Sequence, residues 1–187
     1  MIGGMGGSTM TAHAFRALAA AAAITIAATT VAAQQVTKDQ VPGIRNLSRL
    51  ETTVACAGAT EVDAIPNVKK MGFVAIINLR QASEPGANVP ESQAAAKAAG
   101  LNYVHIPFDA SKPDPAVADR FLEAIRQPAN QPAYIHCASA NRAAALWLIK
   151  RVEIDQWDAD RAMKEAEALG LTSAPLKQYA LDYIKTH

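Results

Sequence analysis

The chain has 187 residues, with 18 Lys and Arg against 17 Asp and Glu and a formal net charge of +1. That balance excludes a nucleic-acid binder working through a broad basic face, and an apolar fraction of 50% excludes a disordered chain. The length sets one domain or a small pair, and the two cysteines are too few for a disulfide framework or a four-ligand zinc site.

Residues 1–33 differ in composition from the rest: they hold twelve alanines and a single charged side chain, Arg16. Residues 17–33 form an apolar run that is short and Ala-rich for a membrane span. Val31 and Ala33 stand at the −3 and −1 positions of a small-residue cleavage site. The expectation is a secretory signal peptide over 1–33, cleaved near Ala33, with Met10 as initiator. An N-terminal core helix and an uncleaved anchor are the alternatives. Export places the protein in the periplasm or outside the cell, with no membrane span after processing.

Residues 34–45 are polar, contain Pro42-Gly43, and read as an arm leading into a single domain over 46–187. A short β-like run covers Thr52–Ala55. Asp63 is placed to cap a short helix with Pro66 in its first turn and Gly72 as its stop. Phe73–Leu79 is a continuous, β-branched apolar run, the pattern of a strand buried on both faces. A helix over Pro90–Ala99 closes at Gly100, and Asn102–Ile106 reads as a second strand. Asp114-Pro115 opens a helix in cap-then-proline order, running to about Gln127. After a turn at Pro128–Pro132, Ala133–His136 is a third strand and Arg142–Val152 an apolar helix. Asp158–Leu169 and a final helix capped by Ser173 are amphipathic, their apolar residues covering a core and the charges around Lys164–Glu167 facing solvent. Trp147 and Trp157 read as packing anchors. Strands alternating with helices predict an α/β fold, a mainly parallel central sheet with helices on both faces. In such sheets ligands bind beyond the carboxyl ends of the strands.

Chemistry is expected where the third strand meets its helix, in His136-Cys137-Ala138-Ser139-Ala140-Asn141-Arg142. Small residues between a strand and a helix let backbone N–H groups form an anion-binding nest, and the helix N-terminus adds partial positive charge. Arg142 can hold two oxygens of a tetrahedral anion, and the same field favours a thiolate at Cys137. One loop then supplies a nucleophile and an oxyanion cradle. A buried structural cysteine near a surface arginine is the competing reading of Cys-x4-Arg.

These residues resemble the cysteine-dependent tyrosine and dual-specificity phosphatase superfamily. The likeness is to its bacterial tyrosine-phosphatase-like branch, which includes the phosphatase-like domain of β-lactamase-hydrolase-like proteins. The resemblance covers about residues 43–185. It rests on Gly72-Phe-Val-Ala-Ile-Ile-Asn-Leu-Arg80 with Glu84, on Tyr103-Val-His-Ile-Pro107 and on His136-Cys137…Arg142. It implies a cysteine-phosphatase-like fold, with Cys137 as nucleophile, Arg142 and the loop His136, Ala138, Ser139, Ala140 and Asn141 as phosphate cradle, and Asp109 as the acid that protonates the leaving oxygen. Asp114 is the rival acid, although it already reads as a helix cap. The loop departs from the superfamily pattern: four residues separate Cys137 from Arg142 instead of five, Ala140 stands where glycine is usual, and Ala143 replaces a hydroxyl residue.

The implied activity is an exported phosphatase acting on a small phosphate ester or phosphoprotein through a phosphocysteine. The same spacing suits a rhodanese-like sulfurtransferase carrying a persulfide on Cys137, and the departures also suit a non-catalytic anion-binding module. His136 is expected to orient the loop and Asn141 to brace it or polarise water. Arg80 and Glu84 read as a structural ion pair and His105 as a satisfied core or edge residue. Cys56 is a candidate disulfide partner of Cys137 in an oxidising compartment, or an inert buried thiol. No metal, cofactor, nucleic acid or partner protein is expected.

Overall fold

The computed structural model describes residues 1–4 and 35–187; the expected signal peptide and its cleavage site lie outside the described residues. The fold below is that of residues 35–187.

Six strands, β1 (Val36–Val41), β2 (Ile44–Leu50), β3 (Val54–Ala57), β4 (Ala75–Asn78), β5 (Asn102–His105) and β6 (Ala133–His136), form one sheet in the order β1-β2-β3-β6-β4-β5. β3, β6, β4 and β5 run parallel to one another, and β1 and β2 add antiparallel to the β3 edge. The sheet is thus mainly parallel, as expected. The segment 34–45, read from sequence as a lead-in arm, contains β1 and the turn of a β1–β2 hairpin. Its polarity reflects an edge strand half open to solvent, which has too few apolar positions to signal itself.

Side chains alternate across the central strands. Val54 and Cys56 of β3, Ile77 of β4 and Ala133 and Ile135 of β6 face one core; Ala55 and Ala57, Ile76 and Tyr134 face another. The first core is covered by α3 (Pro115–Arg126), α4 (Asn141–Glu153), α5 (Ala159–Ala168) and α6 (Ala174–Thr186). The second is covered by α1 (Ile65–Lys70) and α2 (Val89–Ala98). Asp114 caps α3 by accepting from the Ala116 N–H at 3.0 Å, with Pro115 opening the helix.

Three local expectations shift. Asp63 sits inside a 3-10 turn, Val62–Ala64, and makes no cap; α1 begins at Ile65 with Pro66 in its first turn. Ser173 precedes α6 without a side-chain cap bond. The charges around Lys164–Glu167 are not all solvated: Glu165 takes hydrogen bonds from the Trp147 Nε1–H at 2.7 Å and from Arg151 Nε at 2.6 Å.

Candidate active site

β6 lies between β3 and β4, with His136 in register with Ala57 on one side and Asn78 on the other. The chain leaves these three aligned carboxyl ends into Cys137 and the loop 138–140, and α4 starts at Asn141. Two bonds tie the loop to the sheet: Cys137 N–H donates to Ala57 O at 3.1 Å, and Ala59 N–H donates to Ala138 O at 3.1 Å. Asn46 Nδ2 donates to Ser139 O at 3.3 Å. A trans peptide carries its C=O and N–H on opposite edges. Fixing the carbonyls of Ala138 and Ser139 therefore turns the N–H groups of Ser139 and Ala140 away from Ala59 and Asn46 respectively. Ala140 completes the turn with φ at +77°, a left-handed conformation that costs a non-glycine residue about 1–2 kcal/mol and explains why glycine is usual at this place in the loop.

Arg142 is nearly enclosed, with 7% of its surface exposed. Its Nη1 donates to Glu84 Oε1 at 2.6 Å, Phe108 O at 2.6 Å and Leu79 O at 3.2 Å; its Nη2 donates to Glu84 Oε2 at 2.9 Å. Of the five guanidinium N–H groups, the end-on pair is committed to Glu84. The Nε–H and the second Nη2–H, which lie along the other edge, have no oxygen acceptor among the described residues. That free edge is a two-pronged oxyanion donor, and the guanidinium is near enough to Cys137 to interact with it electrostatically. Glu84 is itself held by the Gln81 N–H at 2.8 Å and by Arg80 Nε at 3.3 Å. Burial pushes its carboxyl up, but the hydrogen bonds from Arg142, Gln81 and Arg80 outweigh this and bring it down to about 2. The expected Arg80–Glu84 pair exists, yet its larger role is to brace the carboxylate that aims Arg142. The sequence offered no signal for a pair 58 residues apart.

A cavity of about 400 Å³ opens above the loop, lined among others by Ala138, Ser139, Asn141, Arg142, Glu84 and Asp109. Cys137 has no exposed surface and belongs to the core that α3–α6 cover. Asp109 is brought to the cavity mouth because Phe108 N–H bonds to Leu79 O at 3.1 Å, carrying the segment after β5 alongside the end of β4. Its carboxylate accepts from Ser111 Oγ at 2.6 Å and from the Ser111 N–H at 2.9 Å. The Ser111 hydroxyl and then its amide hold the Asp109 pKa below the ordinary value. Asp114, its rival, stays committed to capping α3.

Asn141 is a brace. Its Oδ1 accepts from the N–H groups of Thr172 and Ser173, each at 2.7 Å, fixing the start of α4 to the α5–α6 connection. His136 is buried with Nδ1 unpartnered; burial, then the charges of Arg80 and Arg142, lower its pKa to about 3, so it is a neutral ring below the loop. His105 bonds to Arg80 O at 2.7 Å. Cys56 and Cys137 are both free thiols, and burial, followed by the Cys137 charge, pushes the Cys56 thiol well up.

The mainly parallel sheet and the strand–loop–helix junction that carries Cys137 and Arg142 define an α/β domain with a cysteine–arginine loop at the carboxyl ends of its central strands. A family model for the phosphatase-like domain of β-lactamase hydrolase-like proteins matches residues 43–153, and the chain belongs to that family. It is 31% identical over 107 residues to the β-lactamase hydrolase-like protein of Agrobacterium fabrum; the match covers 54% of this chain and about a quarter of that protein, 24%. A DUF442 protein of Shewanella putrefaciens CN-32 shares the fold, with a TM-score of 0.64, 21% identity and coverage of 77% of this chain and 94% of that one. Pseudomonas aeruginosa TpbA in complex with phosphotyrosine shares it with a TM-score of 0.56 and 16% identity, over 82% of this chain and 98% of that one.

Proposed function

We propose that the protein is an exported phosphatase that hydrolyses phosphate monoesters through a phosphocysteine. The observation that carries this reading is Arg142: its outer edge is committed to Glu84 and two carbonyls, and its inner edge is free beside a cavity that it lines. Such a guanidinium is preorganised for an anion and needs no reorientation when one arrives.

In the proposed reaction an ester phosphate enters the cradle of loop amides and Arg142. The Cys137 thiolate attacks phosphorus, the phosphorus–oxygen bond to the leaving group breaks, and that oxygen takes the Asp109 proton. Water then cleaves the phosphocysteine, returning thiol and inorganic phosphate. To act as acid, Asp109 must give up its bonds to Ser111, which hold it ionised; the dianion in the cradle supplies the opposing push. Its exposed place at the cavity mouth leaves room for that movement. The composition of residues 1–33 supports export. No helix of the described residues is long and apolar enough to cross a membrane. For Cys56, the raised pKa supports an inert packing role in the reduced chain over that of a poised redox partner.

Turnover of p-nitrophenyl phosphate and of an alkyl phosphate tests the reading. Cys137→Ser is expected to abolish both. Asp109→Asn is expected to slow the alkyl ester about 10²-fold or more, because its leaving oxygen needs a proton, and to slow p-nitrophenyl phosphate much less. Release of thiocyanate from thiosulfate and cyanide without phosphate release would replace this function with sulfur transfer.

A further inference from the structure

A second and larger cavity, about 860 Å³, adjoins the cradle. Its walls come from the β1–β2 hairpin, with Lys38, Gln40, Asn46 and Ser48, and from the α5–α6 connection; Ser139 and Asn141 line both this groove and the cavity over the cradle. Its volume is that of a small-molecule site. The groove and the cradle are also tied mechanically. Asn46 holds a left-handed backbone, φ +49°, and from there its amide grips Ser139 O; strain of this kind persists only where the surroundings impose it.

The walls are amphipathic. Side-chain amides and hydroxyls share them with Val41, Pro42, Ile44 and Leu47, as a polyol with hydroxylated edges and C–H faces would require, and no aromatic ring lines either cavity among the described residues. A phenol ring would find nothing to stack on. Of the two charged side chains on the groove wall, Asp39 is neutralised by Arg49. Lys38 has no ion-pair or hydrogen-bond partner among the described residues, which leaves one open positive charge at the hairpin.

We propose that this groove is the leaving-group subsite and that it takes a phosphorylated polyol. The hydroxyls would meet Gln40, Asn46 and Ser48, and a second anionic group would meet Lys38, while the scissile phosphate occupies the cradle. The inference rests on the phosphatase reading for the scissile phosphate only; the groove can be tested by binding alone.

Dissociation constants are measured on the full chain carrying Cys137→Ser, with phenyl phosphate and with a glucose bisphosphate. The bisphosphate is expected to bind about tenfold more tightly. Adding Lys38→Met is expected to erase that preference, and Lys38→Arg to keep it. Equal affinities in the parent, or a preference that survives Lys38→Met, overturns the subsite. Sedimentation with phosphatidylcholine vesicles, with and without a phosphatidylinositol phosphate, separates the two sources of such a headgroup. Lys38-dependent retention on the phosphorylated vesicles assigns a lipid, and Lys38-dependent binding of the soluble bisphosphate alone assigns a free ester. Turnover of phenyl phosphate by the unsubstituted chain is scored separately. If turnover is present and the preference unmoved, the groove falls alone; if turnover is absent and the Lys38 effect intact, the phosphatase reading falls and the groove stands.

Discussion

One helix, α4, carries two arginines of equal burial at its opposite ends. Arg142 and Arg151 are each 7% exposed, and each meets a glutamate from another part of the chain. Arg151 spends its Nε edge on an ion pair. It bonds through Nε and Nη2 to Glu165 at 2.6 and 3.2 Å and through Nη1 to Asp155 at 2.8 Å, and its guanidinium lies 4.7 Å from the Trp147 ring and 4.2 Å from the Trp157 ring. The Nε edge, the one that Arg142 leaves open, is filled by a carboxylate, and Arg151 lines neither cavity at the cradle. Arg142 is held as firmly on one edge but keeps the other open toward a cavity. Burial and ion pairing therefore do not distinguish an arginine poised for a ligand from a structural one, and neither does the number of uncommitted N–H groups, two on each; what differs is which edge stays open and whether it faces a cavity.

The sharpest way to break that comparison is one conservative substitution at each end. Arg142→Lys loses the fork geometry and is expected to cut kcat by about 10²–10³, the loss seen when an oxyanion donor is removed. Arg151→Lys is expected to leave kcat within about twofold and to lower stability by about 2 kcal/mol, through lost bidentate bonding and ring stacking. Steady-state kinetics with urea unfolding on both variants reads the contrast. Equal losses of activity would erase it.

A second test is pH. Glu84 has a folded pKa of about 2 against an ordinary 4.5. A lowered folded value means the carboxylate stabilises the fold fully above about 4.5, and that this contribution is lost as pH falls through about 2. Urea midpoints followed downward from neutral pH should show a loss in the parent chain over that window that is missing from Glu84→Gln. Parallel curves would mean that the clamp on Arg142 adds nothing to stability.

The smallest expected effect sharpens the picture of the loop. Ala140→Gly removes the left-handed penalty at φ +77° but adds glycine's chain entropy, for a net gain of roughly 0.5 kcal/mol. It also withdraws a methyl that sits opposite Gly170, where an added Cβ would approach the Ala140 Cβ to 3.2 Å. A lower melting temperature in Ala140→Gly would show that this packing outweighs the backbone strain.

Much of this arrangement was legible residue by residue. The strand over Ala133–His136, the helix after it and the Asp114-Pro115 start of α3 follow from apolar runs and capping chemistry, which act over a few residues. The Cys137–Arg142 loop was visible because both residues and the small linkers between them are contiguous. The β1–β2 hairpin was missed because its outer strand buries little and so carries weak alternation. Glu165 was misread because an acidic residue among exposed charges looks the same whether it faces water or Arg151. The Arg142–Glu84 clamp has no local signature: its partners stand 58 residues apart, and Arg80, four residues from Glu84, is the partner that sequence proximity points to.

By itself the sequence determined the class of fold, the nucleophile candidate and the candidate anion-binding loop, since each is written in neighbouring residues whose backbone preferences and side-chain chemistry are local. The tertiary structure alone decided which edge of Arg142 stays free, that Asp109 reaches the same mouth while bound to Ser111, and that a hairpin walls a groove beside the cradle. Those outcomes depend on β6 lying between β3 and β4, which gathers segments from residues 38 to 176 at one end of the sheet; strand order is settled by packing across the whole domain, and no short stretch of chain encodes it.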